Sequence, residues 1–120
     1  MCSQNDKATW SILRFNHRTF TAQLASMQRN KQVAAIPEKY IYIDDCCYKG
    51  NGKIKEIILP SGCRIIGKEA FASCQLRKPV VFPQTVKEIK ESAFSENHSL
   101  REVTFPASLE ILGDYLFYFP

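Results

Sequence analysis

Apolar and polar positions repeat along this chain with a period of 23 residues. Four prolines keep that spacing, and a large apolar residue precedes each of them. The pairs are Ile36–Pro37, Leu59–Pro60, Phe82–Pro83 and Phe105–Pro106. A fixed period in this range is typical of a solenoid, in which each unit buries its apolar side chains against the next unit.

Further columns of similar residues follow each proline at constant distances. The apolar columns are Tyr40, Cys63, Val86 and Leu109, then Ile43, Ile66, Ile89 and Leu112, then Cys47, Ala70, Ala93 and Leu116. An aromatic column, Tyr48, Phe71, Phe94 and Phe117, comes next. The pattern predicts that these columns stack through the core, and that the aromatic column contributes much of the stability.

Asn51, Cys74 and Asn97 form one more column, three places after the aromatic one. A tight inward loop leaves backbone groups unpaired, and each buried unpaired group costs about 1–3 kcal/mol. We expect the asparagine side chains to satisfy such groups from one repeat to the next. The small thiol of Cys74 is expected to occupy the same position.

The segment before each proline predicts a short β-strand. In "SLREVTFP" the apolar Val103 and Phe105 share one face, and proline is tolerated at a strand end because it has no N–H to donate. Stacked at about 4.8 Å, such strands would form a parallel sheet along the solenoid. Its outward rows would contain Glu56, Pro79 and Glu102, and beside them Ala35, Ile58, Val81 and Thr104.

The outward rows are the candidate protein-binding face. An apolar stripe with a charged rim, such as Ile58 beside Val81, is the usual anatomy of a modest protein interface. The competing interpretation is that β-branched residues belong on any strand, whether or not it binds a partner. The predicted face comprises Glu56, Ile58, Pro79, Val81, Glu102 and Thr104.

Residues 1–33 do not keep the columns and are expected to cap the first repeat. They predict either a hairpin of "SILRF" and "TFTAQL" around "NHR", or a helix that uses Phe20, Leu24 and Met27. Residues 34–120 then form about four repeats: 34–53 degenerate, 54–76, 77–99 and 100–120 incomplete. The last segment, "YLFYFP", shows no polar cap, which predicts a truncated chain, a docking end or self-association.

Net charge adds one candidate partner. The chain has 120 residues and a formal net charge of +4. Residues 34–120 carry equal numbers of acidic and basic side chains, so the excess lies in residues 1–33. A basic arm that contacts nucleic acid is therefore an alternative, although a solvated segment is favoured. No apolar run is long enough for a membrane span, and no signal peptide is visible.

Reactive residues do not form an arrangement that predicts catalysis, a metal site or a cofactor. Three of the five cysteines lie in columns of the repeat, and no C-x-x-C spacing exists. His17 and His98 have no partner at motif spacing, and the paired aspartates at 44–45 fall in an expected turn. No Walker motif or HExxH is present.

The segments "IKEIILPSGCRIIGKEAFASC" and "LREVTFPASLEILGDYLF" resemble the BspA-type leucine-rich repeat. The resemblance covers residues 54–120 and, in degenerate form, 34–53. It implies a curved, right-handed leucine-rich-repeat solenoid of the β-rich α/β class, with turns or short helices on the convex side. Three departures stand out: Leu76 lies one place early, Pro79 enters the strand, and Lys90 replaces the glycine seen at 67 and 113.

The family resemblance implies protein–protein recognition, often on microbial surfaces, and no catalytic residues or cofactor. The expected function is therefore a non-enzymatic interaction module that binds a protein partner through the sheet face. The alternatives are a homo-oligomer formed through the C-terminal edge and nucleic-acid contact by the N-terminal segment. Free thiols without a visible leader favour the cytoplasm, whereas the resemblance implies a surface or secreted protein.

Overall fold

The computed structural model describes residues 14–15 and 32–117, which form nine short strands. The strands are β1 (Arg14–Phe15), β2 (Val33–Ala35), β3 (Tyr42–Ile43), β4 (Glu56–Ile58), β5 (Ile65–Ile66), β6 (Val80–Val81), β7 (Glu88–Ile89), β8 (Val103–Thr104) and β9 (Ile111–Leu112). All pairings between them are parallel. The predicted solenoid of stacked repeats is confirmed.

Each turn of the solenoid supplies one strand to each of two stacks. β1, β3, β5, β7 and β9 form a five-stranded sheet, whereas β2 pairs with β4 and β6 pairs with β8 in a second stack. The strands of the second stack are those expected before the prolines. The five-stranded sheet contains the column of Ile43, Ile66, Ile89 and Leu112, which we call the isoleucine column. The strands of this sheet were not predicted, because such short strands show no alternation.

Pro79 interrupts the second stack between β4 and β6, which lie side by side without a common ladder. One repeat earlier, Glu56 N donates to Gln32 O at 3.2 Å. Pro79 lies at the equivalent position and has no N–H to donate. Lys78 N still donates to Lys55 O at 3.3 Å, so the two strands remain adjacent.

Each repeat proline begins the turn that joins the two stacks. Its carbonyl accepts a hydrogen bond from the N–H three residues later, as from Cys63 N to Pro60 O at 3.0 Å and from Val86 N to Pro83 O at 3.2 Å. Within residues 14–15 and 32–117 the connections are turns and no helix occurs. None of these residues therefore belongs to a helix able to cross a membrane.

Some non-glycine residues in the turns have a left-handed backbone, at positions that recur with the repeat period. Glu69 and Ser92 have φ of 57° and 58°, and Ser73 and Glu96 have φ of 55° and 59°. Such residues cost on the order of 1 kcal/mol each unless their surroundings hold them. Here the next repeat holds them: Ser73 N, for example, donates to Ser95 O at 2.8 Å.

The aromatic column forms a continuous stack inside the solenoid. The ring of Phe15, from outside this column, stacks on Tyr48 with the centroids 6.2 Å apart. Within the column the centroids lie 5.6 Å apart from Tyr48 to Phe71, 5.6 Å from Phe71 to Phe94 and 6.5 Å from Phe94 to Phe117. The Tyr48–Phe71 and Phe71–Phe94 pairs are within 11° of parallel. Phe71 and Phe94 are fully buried, so the stack runs through the centre of the core.

Phe15 extends the isoleucine column by one turn at the N-terminal end. It lies opposite Ile43 in the register of β1 with β3, just as Ile43 lies opposite Ile66 in the register of β3 with β5. The chain between Phe15 and Ile43 is longer than one repeat. Phe15 therefore does not keep the constant spacing by which the other members of the column are recognised in the sequence. The choice between a hairpin and a helix for residues 1–33 falls largely outside the described residues, and the proposed repeat boundaries remain predictions.

Candidate protein-interaction face

The residues of the predicted face lie together on the outward side of the second stack. The register pairs Ala35 with Ile58 and Val81 with Thr104. Ile58 is 50% exposed and Val81 is 78% exposed, although both lie on strands whose neighbouring residues are buried. Burial in the core therefore does not explain why these two positions are apolar. The two side chains form an apolar row along the solenoid axis.

Charged residues rim the apolar row on one side. Glu56 and Glu102 stand next to Ile58 and Thr104, and exposed Pro79 occupies the position between the two carboxylates. Glu56 Oε1 lies 3.8 Å from Lys78 Nζ, so this carboxylate forms an ion pair with a cation of the following repeat. Glu102 is exposed to solvent. The face thus combines exposed apolar side chains with charge of both signs.

Asn97 holds the turn that precedes β8. Its side chain is fully buried, and Nδ2 donates to the carbonyls of Phe71 at 2.8 Å, Phe94 at 2.9 Å and Ser95 at 3.3 Å. Oδ1 accepts from Leu76 N at 3.2 Å. One side chain therefore satisfies backbone groups of two successive repeats.

Cys74 makes the corresponding contact one repeat earlier. Its Sγ lies 3.2 Å from the carbonyl oxygen of Tyr48, the residue equivalent to Phe71. A thiol has one weak donor where the amide of Asn97 has two, so this turn gains fewer bonds. Asn51 Oδ1 accepts from Lys53 N at 3.2 Å, within its own turn.

The described cysteines are free thiols and most are buried. Cys47, Cys63 and Cys74 are at most 4% exposed, while Cys46 is partly exposed. Burial raises the pKa of Cys63 and of Cys74 to about 12. Because the thiolate is the reactive form, these two side chains are packing elements rather than nucleophiles at neutral pH.

The other candidate reactive groups serve the backbone or the surface. Asp44 pairs with Arg14, with Oδ1 2.5 Å from Nε, and Asp45 Oδ1 accepts from Lys68 N at 2.9 Å. His98 lies in an exposed turn, and His17 falls outside the described residues. Among residues 14–15 and 32–117, no three His, Cys, Asp or Glu side chains come together as a metal site.

The outward side of the five-stranded sheet is packed differently from the candidate face. Tyr42 is buried beneath two cations: Arg14 lies 4.2 Å and Lys90 5.3 Å from its ring centroid. Lys90 Nζ also donates to the Tyr42 hydroxyl at 2.8 Å, which raises the pKa of Lys90. The departure at Lys90 thus has a structural role, and only a contact across two repeats could have revealed it.

Apolar side chains are also exposed on the last turn. Ile111 and Leu112 of β9 and Tyr115 beyond it are about half to two-thirds exposed. In contrast, Ile66 and Ile89, which precede Leu112 in the isoleucine column, are fully buried by the next repeat. A pocket of about 320 Å³ is lined by Leu100, Arg101, Val103 and Phe117.

Stacked turns of constant length, with two parallel strand stacks and an aromatic core, define a solenoid repeat protein. A family model describing six copies of the BspA-type leucine-rich repeat matches residues 19–119, and the chain belongs to this family. The match begins inside the segment expected to act as a cap.

Comparison with solved structures supports the same fold. The chain is similar to a leucine-rich repeat protein from Bacteroides ovatus, with 25% identity and a TM-score of 0.59. The similarity covers 68% of this chain and 27% of the other, so the chain spans about a quarter of that protein's length. No curated protein matches the chain.

Proposed function

We propose that the chain is a non-enzymatic protein-interaction module that binds a protein partner through the outward face of its second strand stack. The face consists of Glu56, Ile58, Pro79, Val81, Glu102 and Thr104. Exposed Ile58 and Val81, adjacent along the solenoid axis, are the observation that carries the proposal. Fully desolvating a side chain of this kind contributes about 1.5–3 kcal/mol, which a partner surface could recover.

One observation favours this surface over the five-stranded sheet, and two others suit it to binding a protein. Its apolar Ile58 and Val81 are exposed in adjacent repeats. On the other sheet Tyr42 is covered by cations, Ile65 is only partly exposed, and exposed Ile111 lies on the last strand. The charged rim of the second stack provides polar contacts of the kind that surround protein interfaces. The stack also presents equivalent residues from successive repeats, and repeat proteins use such extended surfaces for binding.

The test is capture of a partner from a native lysate, with identification by mass spectrometry. The wild-type chain is compared with a variant carrying Ile58→Lys and Val81→Glu, which leaves the net charge unchanged. We expect one protein to be retained by the wild type and lost by the variant. Circular dichroism should show that both chains fold, since both substituted side chains point to solvent.

A matched control places the same types of change on the other sheet. Ile65→Lys with Ile111→Glu alters two outward positions of β5 and β9, and this variant should retain the captured protein. Retention of the same protein by the Ile58→Lys, Val81→Glu variant would contradict the proposal. In that case the exposed row reflects only the β-branched composition of the strands.

A second candidate function is self-association through the last turn. The exposure of Ile111, Leu112 and Tyr115 favours it. An uncovered strand edge with apolar side chains can pair with another chain. Sedimentation velocity should then show a mass that rises with protein concentration. Ile111→Glu with Leu112→Lys should abolish the rise, and Ile58→Lys with Val81→Glu should not. A mass independent of concentration would eliminate this candidate.

Nucleic-acid contact by the basic N-terminal segment stays a prediction. Most of residues 1–33 lie outside the described part of the chain. Of its cations, Arg14 is paired with Asp44 in the structure, which leaves one fewer charge for a phosphate backbone.

A further inference from the structure

Cations recur in the sequence immediately before the outward positions of the candidate face. Lys55, Lys78 and Arg101 recur at the repeat period, each immediately before the outward position held by Glu56, Pro79 or Glu102. Arg77 adds a second cation in the middle repeat. We call Lys55, Arg77, Lys78 and Arg101 the basic row. Lys78 Nζ lies 3.8 Å from Glu56 Oε1, which places the charged end of Lys78 on the candidate face.

Within the described part of the chain, most of the basic row has no carboxylate partner. Elsewhere the ion pairs link Lys49 with Glu69 at 2.6 Å, Lys68 with Glu91 at 3.8 Å and Lys87 with Glu110 at 3.5 Å. Among residues 14–15 and 32–117, Lys55, Arg77 and Arg101 have no carboxylate within 4.0 Å.

Pro79 strengthens this imbalance at the centre of the face. Glu56 and Glu102 occupy the equivalent position in the repeats on either side, and Pro79 breaks that acidic row. The middle repeat therefore presents Arg77 and Lys78 without a carboxylate of its own at the neighbouring outward position. Residues 34–120 have no net charge, yet the segments that lead into and form β4, β6 and β8 (residues 55–58, 77–81 and 101–104) contain four cations against two carboxylates.

We propose that the face takes an acidic, extended segment of a partner protein. Apolar side chains of the segment would cover Ile58 and Val81, and its carboxylates would bind Arg77 and Arg101. Guanidinium groups suit this role because they form bidentate, charge-assisted hydrogen bonds with carboxylates. The inference rests on the proposed function, and it adds the chemistry of the partner.

The composition of the face favours an acidic polypeptide over nucleic acid. Glu56 and Glu102 lie within the surface and repel a continuous phosphate backbone. Its outward residues include no aromatic ring on which a base could stack, and such stacking is the usual source of affinity for single strands. The four strands of the second stack span about 14 Å, which about four or five residues of extended peptide would cover.

The test uses a fluorescein-labelled decapeptide of alternating glutamate and valine, with fluorescence anisotropy as the readout. A peptide of alternating glutamine and valine has nearly the same shape without the charge. We expect the glutamate peptide to bind wild-type protein roughly tenfold more tightly than the glutamine peptide. Its affinity should fall as salt is added, because exposed charges are screened.

Two variants locate the binding site. Arg77→Gln with Arg101→Gln should weaken binding of the glutamate peptide by roughly tenfold. The matched control, Lys39→Gln with Arg64→Gln, removes the same charge from residues that precede β3 and β5, and should change the affinity by less than about twofold. Ile58→Lys with Val81→Glu should also weaken binding of the glutamate peptide, since apolar contact is part of the proposed site.

Three outcomes would overturn the inference. The first is equal affinity for the two peptides, and the second is an equal loss of affinity in the arginine variant and in its control. The third is a thymidine decanucleotide that binds as tightly as the glutamate peptide and depends in the same way on Arg77 and Arg101. Self-association that depends on those arginines would likewise identify a second copy as the occupant. If the glutamate peptide does not bind but a lysate protein is lost with Ile58→Lys and Val81→Glu, the proposed function stands and only the acidic partner is rejected.

Discussion

Replacement of Phe71 by alanine is expected to lower the free energy of unfolding by about 3–5 kcal/mol. Phe71 is fully buried and stacks on Tyr48 and Phe94, each at 5.6 Å between ring centroids. Removing the ring leaves a cavity in the middle of the array and breaks both aromatic pairs, each worth about 0.5–1.5 kcal/mol beyond buried area. For a domain with a total stability of about 5–15 kcal/mol, this single change brings the chain close to unfolding.

The end of the same column provides the control. Phe117 is 36% exposed and stacks on Phe94 alone within its column, at 6.5 Å. We expect Phe117→Ala to cost about 1–2 kcal/mol, since partial burial leaves less surface to lose. Urea denaturation followed by circular dichroism would compare the two variants. Equal losses at positions 71 and 117 would contradict the view that the stack is strongest at its centre.

Nearest-neighbour coupling adds a second expectation for Phe71→Ala. In a repeat array each unit contacts only its neighbours, so a defect in a central unit weakens the interfaces on both sides. Unfolding of the variant should become less cooperative, with a smaller dependence of the free energy on urea concentration than in wild type. Phe117→Ala should keep the wild-type dependence.

The part of the fold visible in sequence is the part that repeats in phase. The prolines, the aromatic column and the isoleucine column recur at one constant period, so simple comparison of successive segments reveals them. The strands before the prolines could be predicted because Pro60 and its equivalents end them. Phe15 belongs to the isoleucine column as well, but its longer separation from Ile43 hides it.

Contacts between repeats explain what sequence did not reveal. The five-stranded sheet is built from very short strands such as Glu88–Ile89, which carry no periodic signal of their own. Likewise Lys90 reaches Tyr42 across two repeats, and no local pattern joins that pair. The basic row was missed for a different reason: summing charge over residues 34–120 cancelled its cations against carboxylates on other surfaces.

Replacement of Asn97 by leucine is expected to lower the free energy of unfolding by about 3–5 kcal/mol, although both side chains branch at Cγ and have the same number of heavy atoms. The change leaves the carbonyls of Phe71 and Phe94 and the N–H of Leu76 without the partners they have now. Each such buried group costs about 1–3 kcal/mol. Urea denaturation of the variant and wild type would measure the difference.

Exchanging asparagine and cysteine, the two residue types found in this column, separates the effect of hydrogen bonding from that of packing. Asn97→Cys should lose less stability than Asn97→Leu, because a thiol can approach the Phe71 carbonyl as Cys74 approaches that of Tyr48 at 3.2 Å. Cys74→Asn should be tolerated within about 1 kcal/mol, since an amide fits the same turn and brings additional donors. If Asn97→Leu proved as stable as Asn97→Cys, the hydrogen bonds of this column would contribute nothing net to the stacking of the repeats.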